Sequence, residues 1–486
     1  MSVRLETATP TDTQSTGVLR WLVAATFVAI LNETITLTAM PRLMAHFGVD
    51  ESAAQWLATV FLLTMAVVIP ITGWFLQQVT TRQAFLLAMS VFTAGTLLAA
   101  LAPVFWVLIV ARIVQAAGTA VMMPLLMTTL MKVVPESDRG RVMGNVTMAI
   151  AVAPALGPAV SGLVLQSLSW RWIFLIVLPV AVAVMVGGLR RLTNVGEPQP
   201  AHVDWLSVAL AADGFGALVY GLSEFGVVEN PLIPAVTLGV GIVGVTLFVL
   251  RQLRLQRDER PLLDLRTLRI PVYRTAMSAM ALAFLGMLGS MVLLQLYLQN
   301  LRGMTPLEAG LLVMPGGLAM GLLGPRVGRW YDRVGGRVLV LPGAAVISAS
   351  FGVLALVDAT TPIWVVLAVH IALMLGLSLL FTPLFTMGLG SLPAHLYSHG
   401  SSLLGTVQQV AGAFGTALVV MVMSSRAASL VESGVEPAQA SLSGMHWAFA
   451  VSAVVGVLVL ALVSRLPRKV RTLEEEPAAQ SVDATG

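Results

Sequence analysis

The sequence predicts an all-α polytopic membrane protein that crosses a bilayer fourteen times. Composition, the length of the apolar runs and the placement of the cationic residues carry that prediction. Of 486 residues, 57% are hydrophobic and 11% are charged, against about 45–50% and about 25% in soluble domains. A single water-soluble core stops growing near about 250–300 residues, so the remaining solvent for so much apolar side chain is lipid. A soluble globular enzyme and a disordered chain are excluded on the same ground. The absence of cysteine removes disulfides, thiolate metal sites and thiol nucleophiles. The long apolar runs do not alternate with period two, which excludes a β-barrel.

A spanning helix needs about 20 mostly apolar residues. Runs of that kind cover 20–41, 53–75, 83–101, 105–131, 141–166, 171–189, 205–225, 231–251, 274–299, 306–325, 337–357, 362–388, 399–425 and 444–464. With the N-terminus inside, the outer loops hold only Arg42, Arg171, Arg302 and Arg426 of the 28 Lys and Arg, and Arg112 lies within a span. The rest fall on the inner side, so both termini are expected in the cytoplasm. The net charge of +4 therefore speaks to topology and not to nucleic acid. The first residues are polar and precede a long span, unlike a cleavable signal peptide. The expected organisation is a cytoplasmic tail at 1–19, a six-helix bundle at 20–190, two added helices at 205–251, a cytoplasmic loop with a short surface helix at 252–273, a second six-helix bundle at 274–464 and a disordered tail at 465–486.

The two bundles carry related punctuation. Gly73-Trp-Phe-Leu-Gln77-Gln-Val-Thr80-Thr-Arg82 closes span two, and Gly328-Arg-Trp-Tyr-Asp332-Arg333-Val-Gly335-Gly-Arg337 closes span ten. An internal repeat in a polytopic chain marks a secondary transporter whose halves rock about a midplane site. Arg333 and Arg337 are expected to neutralise Asp332 and the negative ends of helices, latching the inner ends together.

Gly328, Asp332, Arg333, Gly335 and Arg337 resemble the signature loop of the major facilitator superfamily. Arg112-Ile-Val-Gln115 resembles its Arg-x-x-Gln motif, and Ala153-Pro154-Ala-Leu-Gly157-Pro158-Ala-Val-Ser161-Gly162 resembles the Gly/Pro motif of drug antiporters. Leu31-Asn32-Glu33-Thr34, Ala39-Met40-Pro41, Gln55-Trp56 and Tyr297-Leu-Gln299-Asn-Leu-Arg-Gly303-Met-Thr-Pro306 are similar to the fourteen-helix drug:proton antiporter family, with lincosamide-resistance-type members the nearest in kind. The resemblance covers about 20–465. It implies the major facilitator fold and alternating access, with the two added helices outside the transport path. The sequence departs from the pattern at Gln77 and Thr80, where Asp and Gly are usual, and at Asn32, where the acid has moved on to Glu33.

A carboxylate in an apolar helix costs about 2.5–3.5 kcal/mol or more, so Glu33 should face water or a partner. Helical rise puts Glu33 about 18 Å from Trp21 and Arg112 about 10 Å from Phe105, which gives them a shared depth. Glu33 is the expected proton carrier, with Arg112, Asn32 and Gln115 around it. Asp213, followed by two close glycines, is a second candidate. Gly157, Pro158 and Gly162, with Gly73 and the second signature loop, are expected to shape gating. Trp56, Phe61, Gln295, Tyr297 and Gln299 are candidates for the substrate cavity. His370 reads as a structural histidine, and His395 and His399 as solvated loop residues.

The function expected is a proton-driven exporter of drugs or other amphipathic molecules in the cytoplasmic membrane, with one endogenous metabolite, lipid or siderophore as the alternative cargo. No cofactor beyond the proton gradient, no metal, no nucleic acid and no obligatory protein partner are expected, and the chain is read as a monomer. The only lysines, Lys132 and Lys469, lie outside any phosphate-binding loop, which excludes a primary pump as a single chain.

Overall fold

The computed structural model describes residues 12–195, 198, 203–224, 232–258 and 260–467, the side chains of 12–16, 51 and 52 excepted. Most of the two expected tails lies outside the described residues. Fifteen α-helices are described: α1 (Asp12–Thr38), α2 (Met40–Phe47), α3 (Glu51–Gln78), α4 (Thr81–Ala100), α5 (Phe105–Val133), α6 (Arg139–Ser167), α7 (Arg171–Arg191), α8 (Trp205–Glu224), α9 (Leu232–Leu255), α10 (Pro271–Leu296), α11 (Pro306–Val334), α12 (Arg337–Leu354), α13 (Ile363–Gly390), α14 (Tyr397–Glu432) and α15 (Pro437–Val463). Fourteen segments are long and apolar enough to cross a membrane, one for each expected span. Only the short α2 is additional. The chain is a multi-pass membrane protein.

Local chemistry sets the boundaries. Pro41 near the start of α2 has no N–H to continue the preceding helix, so the first span ends at Thr38 and α2 begins separately. Thr80 with Gln83 and Thr305 with Glu308 form reciprocal capping boxes that start α4 and α11. After α10 the chain widens into a π-helical turn over Tyr297–Leu301.

The connection at 252–273 is not a free surface helix. It contains short 3₁₀ turns at Gln256–Asp258 and Leu265–Arg269, and its Leu262 and Leu263 are buried. The Gln252 carboxamide holds it in place. Its Oε1 accepts from the backbone of Leu262 (2.8 Å) and Leu263 (3.1 Å), and its Nε2 donates to Ser207 (2.7 Å). Satisfying those polar groups is what lets the two leucines fold inward.

Helices α1–α7 form one bundle and α10–α15 the other. The most extensive interhelical contact in the chain crosses between them, joining α6 to α11. On the other flank α3 meets α14. The added pair α8–α9 packs on itself, with α8 resting on both α3 and α14. The helix ends that carry Arg139, Arg141, Arg333 and Arg337 lie at one end of the molecule, called the basic end below.

Candidate functional site

The first helix has a stripe of buried residues, Ala25, Val28, Ala29, Asn32, Ile35 and Thr36, at helical spacing. Glu33 stands one residue past Asn32, about 100° round the helix, and is half-buried. Its carboxylate has neither a hydrogen bond nor an ion pair among the described residues. Asn32 is 1% exposed and both of its side-chain polar atoms are unpartnered.

Opposite lies Arg112 of α5, fully buried. Its Nε donates to the Leu57 carbonyl of α3 (3.2 Å) and its Nη1 to Gln115 Oε1 (3.0 Å), while Nη2 has no partner. Gln115 donates onward to Thr96 of α4 (3.1 Å). The guanidinium carbon lies 4.1 Å over the Phe61 ring, a cation–π contact that is strongest when both groups are dry. All of these contacts are to neutral groups, and among the described residues Glu33 is the acid that faces Arg112. The arrangement sets a permanent cation near an acid that makes no hydrogen bond or ion pair among the described residues.

Helices α1 and α6 meet next to Glu33. A methyl group at Gly157 would run into the Thr34 hydroxyl, so α1 and α6 approach closely one residue from the acid.

The halves are shut against each other at the basic end. Asp332 at the end of α11 accepts from the backbone N–H of Gly140 (2.9 Å) and Arg141 (2.8 Å). Both amides belong to the first turn of α6, whose N-terminus carries partial positive charge. Backbone contact makes this possible, since a side chain at Gly140 would strike Asp332, Tyr331 and the Gly328 carbonyl, and one at Gly144 would strike Gly324. Hydroxyl pairs continue the seam: Thr72 with Ser402 (2.6 Å), Thr128 with Ser401 (2.9 Å) and Thr382 with Thr147 (3.1 Å).

The sequence profile of the Major Facilitator Superfamily matches residues 22–416. The chain belongs to that superfamily. It is 40% identical over 459 residues to the uncharacterized MFS-type transporter YcnB of Bacillus subtilis (strain 168), covering 94% of this chain and 96% of that protein. It is 36% identical over 449 residues to the lincomycin resistance protein LmrB of the same organism, with 90% and 93% covered. It is 30% identical over 423 residues to a multidrug resistance protein B homolog of Mycobacterium tuberculosis (strain ATCC 25618 / H37Rv), with 85% and 77% covered. Among solved structures, the human organic anion transporter MFSD10 (TETRAN) aligns with a TM-score of 0.68 at 13% identity, covering 92% of this chain and 99% of that one. That likeness speaks to the fold alone.

Within this major facilitator fold several expected residues sit elsewhere than the sequence suggests. Arg333 and Arg337 make no ion pair among the described residues; the partner of Asp332 is the start of α6, not its neighbours in the loop. Gln77 in the matching first-half position makes one bond, from Nε2 to the His395 carbonyl (3.3 Å), so the two halves of the gate are unequal. Gly73 packs against the ring and backbone of His399. His399 is itself buried, with Nδ1 unpartnered, and is not a solvated loop residue. Gly335 has a positive φ of 82° where α11 ends. Pro158 lies beside Gly310 of α11, and a side chain at Gly162 would meet only the tip of Leu307 at 3.5 Å.

Two cavity candidates are buried. Phe61 is the surface on which Arg112 rests. Tyr297 donates to the Asp358 carbonyl (2.8 Å) and accepts from Arg302 (3.1 Å), tying α10 to the loop before α13. Trp56 is exposed and stacks on Tyr220 of α8. Gln295 and Gln299, bonded to each other (3.0 Å), line an open groove of about 280 Å³. Asp213 is exposed on the seam between α8 and α9, beside Gly244, and makes no hydrogen bond or ion pair among the described residues. His370 bonds the Val313 carbonyl (3.2 Å), as a structural histidine does.

The sequence reading missed Arg139, Gly140, Gly144 and Gly324. Arg139 counts there as a loop charge, yet it is buried and reaches the Met131 carbonyl (3.1 Å) and Tyr397 across the gate (3.4 Å). The glycines were legible as Gly140-x-x-x-Gly144 and Gly324-x-x-x-Gly328, the spacing that brings two membrane helices into backbone contact.

Proposed function

We propose that this chain is a proton-coupled antiporter that exports amphipathic drugs across the cytoplasmic membrane by alternating access, with both termini in the cytoplasm. The observation that carries the reading is the unpartnered Glu33 carboxylate in a spanning helix, beside the buried Arg112 cation. A carboxylate in such a place is expensive to keep charged and is a functional site by default. The names of the relatives, lincomycin resistance protein and multidrug resistance protein B homolog, support drugs as the cargo class.

The reading runs as a cycle. Substrate meets the protein from the cytoplasmic side while Glu33 is deprotonated. Rocking closes the basic end through Asp332 and α6, the arrangement described above, and opens the opposite end. A proton arriving from outside neutralises Glu33, substrate leaves, and the halves return. No covalent step, metal or cofactor is needed, because the proton gradient supplies the driving force, and one chain suffices.

Inverted membrane vesicles test this with a panel of lincosamides, cationic dyes and neutral compounds, with and without a protonophore. Uptake of at least one lincosamide or dye that collapses on uncoupling is the expected result. Uptake indifferent to the uncoupler would make the chain a facilitator.

A further inference from the structure

A second feature of the molecule is unrelated to Glu33. Between α1 and the start of α6, at the basic end, lies a groove of about 710 Å³, within the range of about 300–1,000 Å³ usual for ligand sites. Val23, Ala24 and Phe27 form one wall, and Val142 and Ala149 the other. Its mouth is polar and carries Arg20, Arg141 and Asp138. Arg141 shares its charge with Asp138 (3.5 Å), both half-exposed. Arg20 is exposed and has no partner among the described residues. The site is an apolar slot with one uncompensated cation at its rim.

We propose that this groove binds one anionic phospholipid, with an acyl chain along the apolar walls and the headgroup phosphate on Arg20 and Arg141. Guanidinium groups match phosphate oxygens in geometry and charge, and basic pockets between helices at a membrane surface select anionic headgroups. The positive rim disfavours a cationic drug. The groove also stops near Phe27, about 9 Å along α1 from Glu33, so it is separate from the proton site. A lipid seated there wedges α1 against the turn of α6 whose amides hold Asp332.

The test uses the purified full-length chain in detergent. Native mass spectrometry and thermal melting follow the titration of palmitoyl-oleoyl phosphatidylglycerol, the corresponding phosphatidylcholine, and glycerol 1-phosphate as a headgroup alone. Wild type should prefer phosphatidylglycerol by roughly fivefold, the value of one surface cation, and should show no response to glycerol 1-phosphate. Arg20→Gln should abolish the preference, with Arg141→Gln weakening it, and Ala24→Trp should remove one bound lipid of either kind. Equal binding of the two lipids by wild type, or a preference that survives Arg20→Gln combined with Arg141→Gln, overturns the proposal. Displacement of phosphatidylglycerol by the lipophilic cation rhodamine 6G, one for one, also overturns it and makes the groove a drug entrance.

Discussion

Asp332 in the second bundle accepts a hydrogen bond from the backbone N–H of Gly140 in the first, at 2.9 Å, and so joins the two halves of the transporter through a helix terminus. A second amide, of Arg141, completes the pair. Hydrogen bonds to a charged acceptor are worth about 1.5–3 kcal/mol each, and the helix terminus adds about 0.3–1 kcal/mol. Opening the basic end breaks all of them at once.

Asp332→Asn keeps one oxygen acceptor and loses the charge. The expected effect is a shift of about 1–2 kcal/mol away from the closed arrangement, roughly a five- to thirtyfold change in population. The chain has no cysteine, so spin labels at Arg82→Cys and Arg329→Cys report the distance across the basic end without further engineering. A distance distribution unchanged by Asp332→Asn would remove the latch.

The glycines divide by what surrounds them. Gly140→Ala strikes the Gly328 backbone and Gly157→Ala strikes Thr34, and overpacking of that kind costs about 1–3 kcal/mol. Gly162→Ala meets only a flexible leucine tip and removes a helix-weakening glycine, a gain of up to about 1 kcal/mol. Transport should fall severalfold in the first two variants and stay near wild type in the third. Equal loss in all three would mean that general helix flexibility, and not close approach, is what matters.

The α8–α9 pair is clamped by Asp204, whose carboxylate takes two bonds from Arg251, at 2.5 and 2.6 Å. Those bonds first, and Ser207 with them, hold Asp204 well below the usual range, at about 2. A carboxylate whose folded pKa is depressed stabilises the fold above its unfolded pKa of 3.8 and loses that contribution as pH falls toward 2. Protease cleavage near Gln256–Asp258, beside the clamp, should therefore rise between pH 4 and pH 2. Arg251→Gln should bring that susceptibility on already at pH 7. A cleavage profile in which wild type and Arg251→Gln coincide at pH 7 would contradict the clamp.

Arg112→Ala leaves Gln115 and the Leu57 carbonyl without their donor and removes the cation near Glu33. Proton-driven transport should fall by at least tenfold. Arg112→Lys keeps a charge but cannot reproduce the fork, so it should retain a fraction of the rate with an altered pH profile. Wild-type coupling in Arg112→Ala would reduce the residue to a packing anchor.

The helices were legible because spanning a bilayer demands length and apolarity, properties of contiguous residues. Pro306 marked the start of α11, whereas Pro271 and Pro437, which start α10 and α15, lie three and seven residues before the expected runs, and the first run extends past the end of α1 at Thr38. The buried Arg112–Gln115 pair was legible too, since residues three apart share a helix face. The partner of Asp332 was not. The amides of Gly140 and Arg141 are nearly two hundred residues away, and spacing says nothing about which helix N-terminus will lie opposite. The loop arginines beside Asp332 were the local choice, and they make no ion pair among the described residues. Phe61 and Tyr297 illustrate the same limit: an aromatic residue in a spanning helix is equally suited to a cavity wall and to a core. Only their neighbours, Arg112 and Arg302, show which role each one has.

Gradient-driven transport by Glu33→Gln in proteoliposomes tests the central claim most directly. With an imposed pH gradient, wild type should accumulate substrate against its own gradient. Glu33→Gln, equally abundant and correctly folded, should fail to accumulate it while still equilibrating it across the membrane. Accumulation by Glu33→Gln at the wild-type level would show that the proton is carried elsewhere and that the unpaired acid of α1 has another purpose.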